Sequence, residues 1–307
     1  MEETQLIDLH HHIIPKEYVE SLSDKGVKKA IGVQFPDWNV NKTLEIMDKN
    51  GISVSFISIS APGVYFKDQN SSIELAKELS SKTNEICAQL IGEHPTRFGA
   101  FATLPLPDVD AALEELKRAL DTLKLDGVVL LSNYDGYYLG DQRFDMLLSE
   151  LNLRKAVVFI HPATPPGLGA SHLDFPEAMM DVCFDTTRTA FSLVLNGSMK
   201  KYPNIRFILA HAGGAVPYIA GRVNMLSTMF SCVGGVEAYV ASGIGAISSI
   251  VPKLKERLPE NLSYYLKYKD VMKKGPIFTS RNFITIRLFQ LLLTFSHRSK
   301  HSLTVHR

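Results

Sequence analysis

The run Gly127-Val128-Val129-Leu130-Leu131 offers almost nothing but apolar side chains. Successive side chains on a strand point to opposite faces, so a strand of this kind must be covered on both sides. Parallel sheets packed between helices meet that condition. Comparable runs occur at 6–12, 53–60, 98–106, 156–162 and 205–211. Between them lie segments of helical period, at 41–50, 72–91, 108–120, 142–153 and 177–198. Asp108 is placed to cap one of these helices at its start, and Asn50-Gly51 to stop another. Regular alternation of strand and helix predicts an α/β fold, a (β/α)8 TIM-like barrel. No linker or repeat divides it, so it is read as one domain.

Histidines gather at the strand ends. Leu6, Ile7 and Leu9 suit a buried strand, and this strand runs into His10-His11-His12. Residues two apart share a face, so His10 and His12 project together and His11 points away. Neutral imidazole is a common ligand for divalent metals. An expression-tag scar would carry about six histidines and no buried strand before them. The fifth and sixth runs end in His161 and His211. All strand C-termini of a (β/α)8 barrel meet at one face, where active sites are built. His10, His12, His161 and His211 are therefore expected at one mouth. Gly213-Gly214 suits a tight turn in which backbone comes close to a ligand.

The remaining composition is restrictive. A net charge of +1 gives no reason to expect nucleic acid or an acidic membrane as partner. No apolar run reaches the ~20 residues that a membrane-spanning helix requires. Cys87, Cys183 and Cys232 are too far apart for a cysteine-based zinc site or a disulfide framework. With a Met-Glu-Glu-Thr start that does not read as a signal peptide, they predict a reducing, cytoplasmic location.

Several of these motifs resemble one family. Ile7-Asp8-Leu9-His10-His11-His12-Ile13-Ile14-Pro15 is similar to the first strand of the amidohydrolase-2 family, which includes aminocarboxymuconate-semialdehyde and 6-methylsalicylate decarboxylases. Phe159-Ile160-His161-Pro162 resembles its fifth-strand motif, and Ala210-His211-Ala212-Gly213-Gly214 its sixth-strand His-x-Gly-Gly. Asp185-Thr186-Thr187-Arg188 is similar to an acidic-Thr-Thr signature in the preceding helix, and 217–222 to the helix that follows the double glycine. The segments 98–105 and 138–141 resemble the 6-methylsalicylate branch. The likeness runs over about residues 6–265.

The resemblance implies a metal-dependent, non-oxidative decarboxylase of a small aromatic or enoic carboxylic acid, active as a homodimer. His10, His12 and His161 would hold a divalent ion, zinc or manganese, and His211 would be the catalytic acid/base. Arg188 is a candidate partner for the substrate carboxylate and Trp38 a candidate wall of the pocket. A helix-surface ion pair and simple packing are the plain alternatives for those two. Asp8 is expected to be structural or to hold an imidazole N–H. In the aminocarboxymuconate branch an arginine grips a second substrate carboxylate; Thr43 stands near that place, which argues against the same dicarboxylic substrate. With the same site, metal-assisted hydrolysis of a lactone, amide or ester is a second reading, and an inactive barrel serving only as a dimer partner a third.

One expected motif is missing. Relatives end the eighth strand in Gly-[Ser/Thr]-Asp-[Tyr/Phe]-Pro, whose Asp binds the metal. Here no acidic residue follows Asp270. The sequence after about Leu266 departs from the family as a shifted reading frame, a mis-spliced exon or a truncation would, so residues 1–266 are read as the barrel domain and 267–307 as a divergent tail. The alternative is a real divergent ending whose strand, at 283–289, closes the barrel without an Asp. Weak metal binding and impaired activity are expected from such an ending.

Overall fold

The six apolar runs form six parallel strands, and each after the first is preceded by a helix. The computed structural model describes residues 6–66, 72–167 and 174–232. In chain order the elements are β1 (Leu6–His12), α1 (Lys16–Asp24), β2 (Lys29–Ala30), β3 (Val33–Gln34), α2 (Val40–Lys49), β4 (Ile52–Ser58), α3 (Ile73–Glu93), β5 (Phe98–Thr103) and α4 (Val109–Lys117). They continue with β6 (Gly127–Leu131), β7 (Asn133–Tyr134), β8 (Tyr137–Tyr138), α5 (Asp145–Leu153), β9 (Val157–His161), α6 (Asp181–Leu195), α7 (Ser198–Lys201), β10 (Arg206–Leu209) and α8 (Val216–Cys232). The main sheet has the order β1-β4-β5-β6-β9-β10. Every neighbouring pair is parallel, and the sheet curls as a half-barrel. The tail 267–307, with the candidate strand at 283–289, lies outside the described residues.

Local chemistry sets the boundaries. The side chains of Asn39, Ser72 and Asp108 accept hydrogen bonds from the backbone N–H groups of Lys42, Leu75 and Ala111. Each satisfies a donor that the first turn of a helix leaves unpaired. The helix expected over 177–198 is broken. Met180 leaves helical geometry, so a short 3-10 turn at Glu177–Met179 is separate from α6. Gly197, at φ +79°, then ends the path of α6 before α7 begins.

The continuous apolar strands are buried on two faces, as their sequences require. On β6, Val128 and Leu130 join the large core between sheet and helices, while Val129 joins a second core inside the curl. That inner core is aromatic. Phe101 stacks on Phe56 and on Phe159, with centroids 5.3 and 5.5 Å apart. Burying each such ring contributes on the order of 1.5–3 kcal/mol, so this row gives the histidines above it a firm floor.

Candidate metal centre

β1 carries an irregularity between Asp8 and His11 in its pairing with β4. Asp8 faces Ser55 and His11 faces Ile57, so three residues of β1 advance against two of β4. A bulge of this kind re-aims side chains at the end of a strand. His10 and His12 still project together, with their Nε2 atoms 2.9 Å apart. His12 Nε2 lies 3.1 Å from Nε2 of His161, at the end of β9. One nitrogen from each of the three rings falls within 4.8 Å of the others. Phe159 supports His10 from below, with ring centroids 5.1 Å apart.

The tautomers follow from what the opposite ring nitrogens touch. His161 Nδ1 is 2.9 Å from the carbonyl oxygen of Pro162, and His12 Nδ1 is 3.4 Å from that of Ser58. A carbonyl only accepts, so both Nδ1 atoms carry the proton and both Nε2 atoms present lone pairs. Lone pairs this close repel one another unless a cation lies between them. The three-nitrogen set therefore suits a divalent ion, with the opposite nitrogen of each of these two rings tied to backbone as in known metal-ligating histidines. Burial lowers the pKa of His10 to about 3 and of His12 to about 4, and holds His161 well below its ordinary value. The neutral form, which binds metal, is the stable one.

His211 stands beside this group and outside it. Its ring centroid is 5.0 Å from His10 and 5.9 Å from His161. The residue is solvent-facing on one side, and loss of water on the other lowers its pKa. It is not the last residue of its strand, as the sequence suggested, but opens a 3-10 turn after β10. His211 and Ala212 both take left-handed backbone angles, φ +52° and +53°, which L-residues adopt sparingly. Gly214, at φ +62° and ψ −128°, ends the turn. A Cβ there would lie 2.1 Å from the carbonyl oxygen of Cys183, so only glycine lets the turn press against α6.

His11 points away, as expected, and organises a chain of its own. Asp8 Oδ2 is 3.0 Å from His11 Nδ1, and His11 Nε2 is 3.3 Å from Thr43 Oγ1. The Trp38 indole N–H donates to the same Thr43 oxygen at 3.0 Å. Asp8 thus pairs with the histidine that points away from the group, and it also accepts from the His10 backbone N–H at 2.9 Å. Hydrogen bonding from His11 is the main cause of its lowered pKa. Trp38 packs against the large core. Arg188 is exposed on α6 and meets the Tyr138 phenol.

Sequence reasoning gave no role to the loops after β6 and β9, which share one buried acceptor, the carboxylate of Asp185. The signal was present in the acidic-Thr-Thr motif, but its partners are 22 to 53 residues away. A small apolar recess opens at the ends of β4, β5 and β6. Ile59, Val64, Leu104, Leu131 and the rings of Tyr65 and Tyr134 line it. It adjoins the histidines through Leu131, which pairs with His161, and through Ile59, which follows Ser58. No charged side chain lines it among the described residues.

The family model described as Amidohydrolase matches residues 7–260. Decarboxylase yanB of Aspergillus niger is 38% identical over 227 residues, which cover 70% of this chain and 60% of that protein. The 6-methylsalicylic acid decarboxylase acuB of Aspergillus aculeatus is 36% identical over 231 residues, 74% of this chain and 68% of that protein. Among solved structures, 5-carboxyvanillate decarboxylase from Novosphingobium aromaticivorans, complexed with manganese and 4-hydroxy-3-methoxy-5-nitrobenzoic acid, shares the fold. Its TM-score is 0.64 at 21% identity, over 75% of this chain and 71% of that one. The chain spans 60% of the length of the first relative.

Proposed function

From the premise that this chain belongs to the Amidohydrolase family, we propose that it is a metal-dependent, non-oxidative decarboxylase of a small aromatic carboxylic acid. The observation that carries this reading is the convergence of His10, His12 and His161 beside an apolar recess, with His211 at the edge of the group. The 6-methylsalicylic acid decarboxylase among the relatives supports an aromatic acid as substrate.

His10, His12 and His161 would hold the ion. When bound, it would supply Lewis acidity toward the substrate's carboxylate and a neighbouring oxygen. Three neutral imidazoles suit zinc, and the manganese of the structural neighbour supports that ion as the alternative. The apolar side chains at the ends of β4, β5 and β6 would face the ring and keep water from it. His211 would deliver a proton to the ring carbon that bears the carboxylate. As the carbon–carbon bond breaks, its electron pair returns to the ring and CO₂ leaves. Arg188 is proposed to meet the carboxylate on entry, and Trp38 to act as a wall behind Thr43.

The reading extends to the whole chain: a barrel domain over 1–266, a tail over 267–307, a cytoplasmic homodimer, and activity reduced by the lack of the family's eighth-strand Asp. The test is to express residues 1–307, measure bound zinc and manganese, and assay CO₂ release from a panel of hydroxybenzoates and lactones. CO₂ release that depends on metal is expected. Acid release from lactones without CO₂ would replace the decarboxylase with a hydrolase. Full metal occupancy with the turnover of an intact relative would remove the proposed impairment.

A further inference from the structure

Asp185 is fully buried on α6 and collects donors from the two segments that follow β6 and β9. Its Oδ1 accepts from the Tyr138 hydroxyl at 2.7 Å. Its Oδ2 accepts from the Ser132 hydroxyl, from Asn133 Nδ2 at 3.0 Å and from the Ala163 N–H at 3.2 Å. The Ser132 oxygen also accepts from Ala163 N–H, at 2.9 Å. The loop after β9 is therefore tied, through one N–H, to the loop after β6 and to α6. The main chain of Ser132 adds a second tie, because its N–H donates to the His161 carbonyl at 2.8 Å.

The N–H of Ala163 and the carbonyl of Pro162 belong to one peptide unit. That unit is planar, and in its trans form the two groups point in opposite directions. Fixing where the N–H points fixes where the carbonyl points. The Pro162 carbonyl accepts from His161 Nδ1, and this contact sets both the ring's tautomer and its rotation. The chain of cause runs from the Asp185 carboxylate, through a single peptide plane, to the Nε2 lone pair of His161.

We propose that Asp185 is a positioning residue that aims the His161 imidazole at the metal site across the Pro162–Ala163 peptide. The inference rests on the reading that His10, His12 and His161 bind a metal. It assigns the acidic residue of the acidic-Thr-Thr motif to the geometry of the ion and not to contact with substrate.

The test is cobalt binding by the full chain, read by chelator competition and by the visible absorption of bound Co²⁺, which reports ligand geometry. Asp185→Ala should weaken binding by ~10- to 100-fold, the usual cost of losing a group that orients a metal ligand. It should also alter the cobalt spectrum at saturation while leaving the far-ultraviolet dichroism unchanged. Asp185→Asn should restore most of both, since its amide oxygen can face Ala163 while its NH₂ donates to the Tyr138 oxygen. If Asp185→Ala does not fold, Ser132→Ala decides, because it removes the nearer acceptor of the same N–H and should weaken cobalt severalfold. Lowered stability with an unchanged cobalt affinity and spectrum would overturn the proposal and leave Asp185 as a packing residue. Failure of the unaltered chain to bind cobalt would instead overturn the metal-centre reading, and this role with it.

Discussion

His10 and His211 approach to 5.0 Å between ring centroids, although β1 and β10 are opposite edges of the described sheet. Curling of the parallel sheet brings them together. One ring faces the lone pairs of the metal group, and the other stays on the solvent side of it. On the proposed reading, this arrangement would separate holding an ion from moving a proton.

His211→Asn should lower turnover by ~10²- to 10⁴-fold, the range for loss of a general acid, and leave metal content unchanged. Elemental analysis beside a CO₂ assay reads both. Loss of metal in this variant would place His211 among the ligands.

His161→Ala should do the reverse. Removing one of three nitrogen donors should reduce metal affinity by more than the ~10- to 100-fold typical of groups that only support a ligand. Activity should return in part when excess metal is supplied. An affinity equal to that of the unaltered chain would exclude His161 from the site.

The metal-free protein should lose stability in acid. The folded-state pKa values of His10, His12 and His161 all lie below the unfolded value near 6.5. In that window the unfolded chain binds more protons, so stability rises with pH. Their contribution is complete above about pH 6.5. It declines as pH falls toward the folded values, about 3 for His10 and about 4 for His12. Urea midpoints of chelator-treated protein between pH 7 and 4, a range set by those values, should fall steadily and flatten in a variant with all three residues changed to Gln.

Gly214→Ala should cost at least ~1–3 kcal/mol, the penalty for a non-glycine residue held in a glycine-only conformation. The new methyl group would also collide with the Cys183 carbonyl. Urea denaturation measures the loss. Turnover should fall further than stability explains, because the turn that carries His211 must shift. Wild-type stability would show that α6 yields easily here.

The half-barrel was readable because its signals are local. Apolar runs placed the six strands within a few residues, and Asp108 was legible as a cap. The pairing of His10 with His12 followed from strand alternation even though a bulge intervenes. Other features depend on partners far along the chain. Asp8 was legible as a holder of an imidazole N–H, but the contact of the other His11 nitrogen with Thr43 in α2 was not, being 32 residues away. The left-handed angles at His211 and Ala212 have no signature in those residues. The hairpin β7–β8 was missed despite a sound signal. Asp135-Gly136, both at positive φ, is a preferred pair for a two-residue hairpin turn.

His12 and His161 are separated by 149 residues. An ion shared between them would tie the first strand to the fifth across a very long loop, as a cross-link does. Closing a loop of about 100 residues removes entropy from the unfolded chain worth roughly 4.7 kcal/mol in the polymer model, and the cost grows slowly with length. The supply of metal would then govern how much folded protein accumulates as well as how fast it works. Cells short of the ion would lose the polypeptide itself, to proteases, as well as its chemistry.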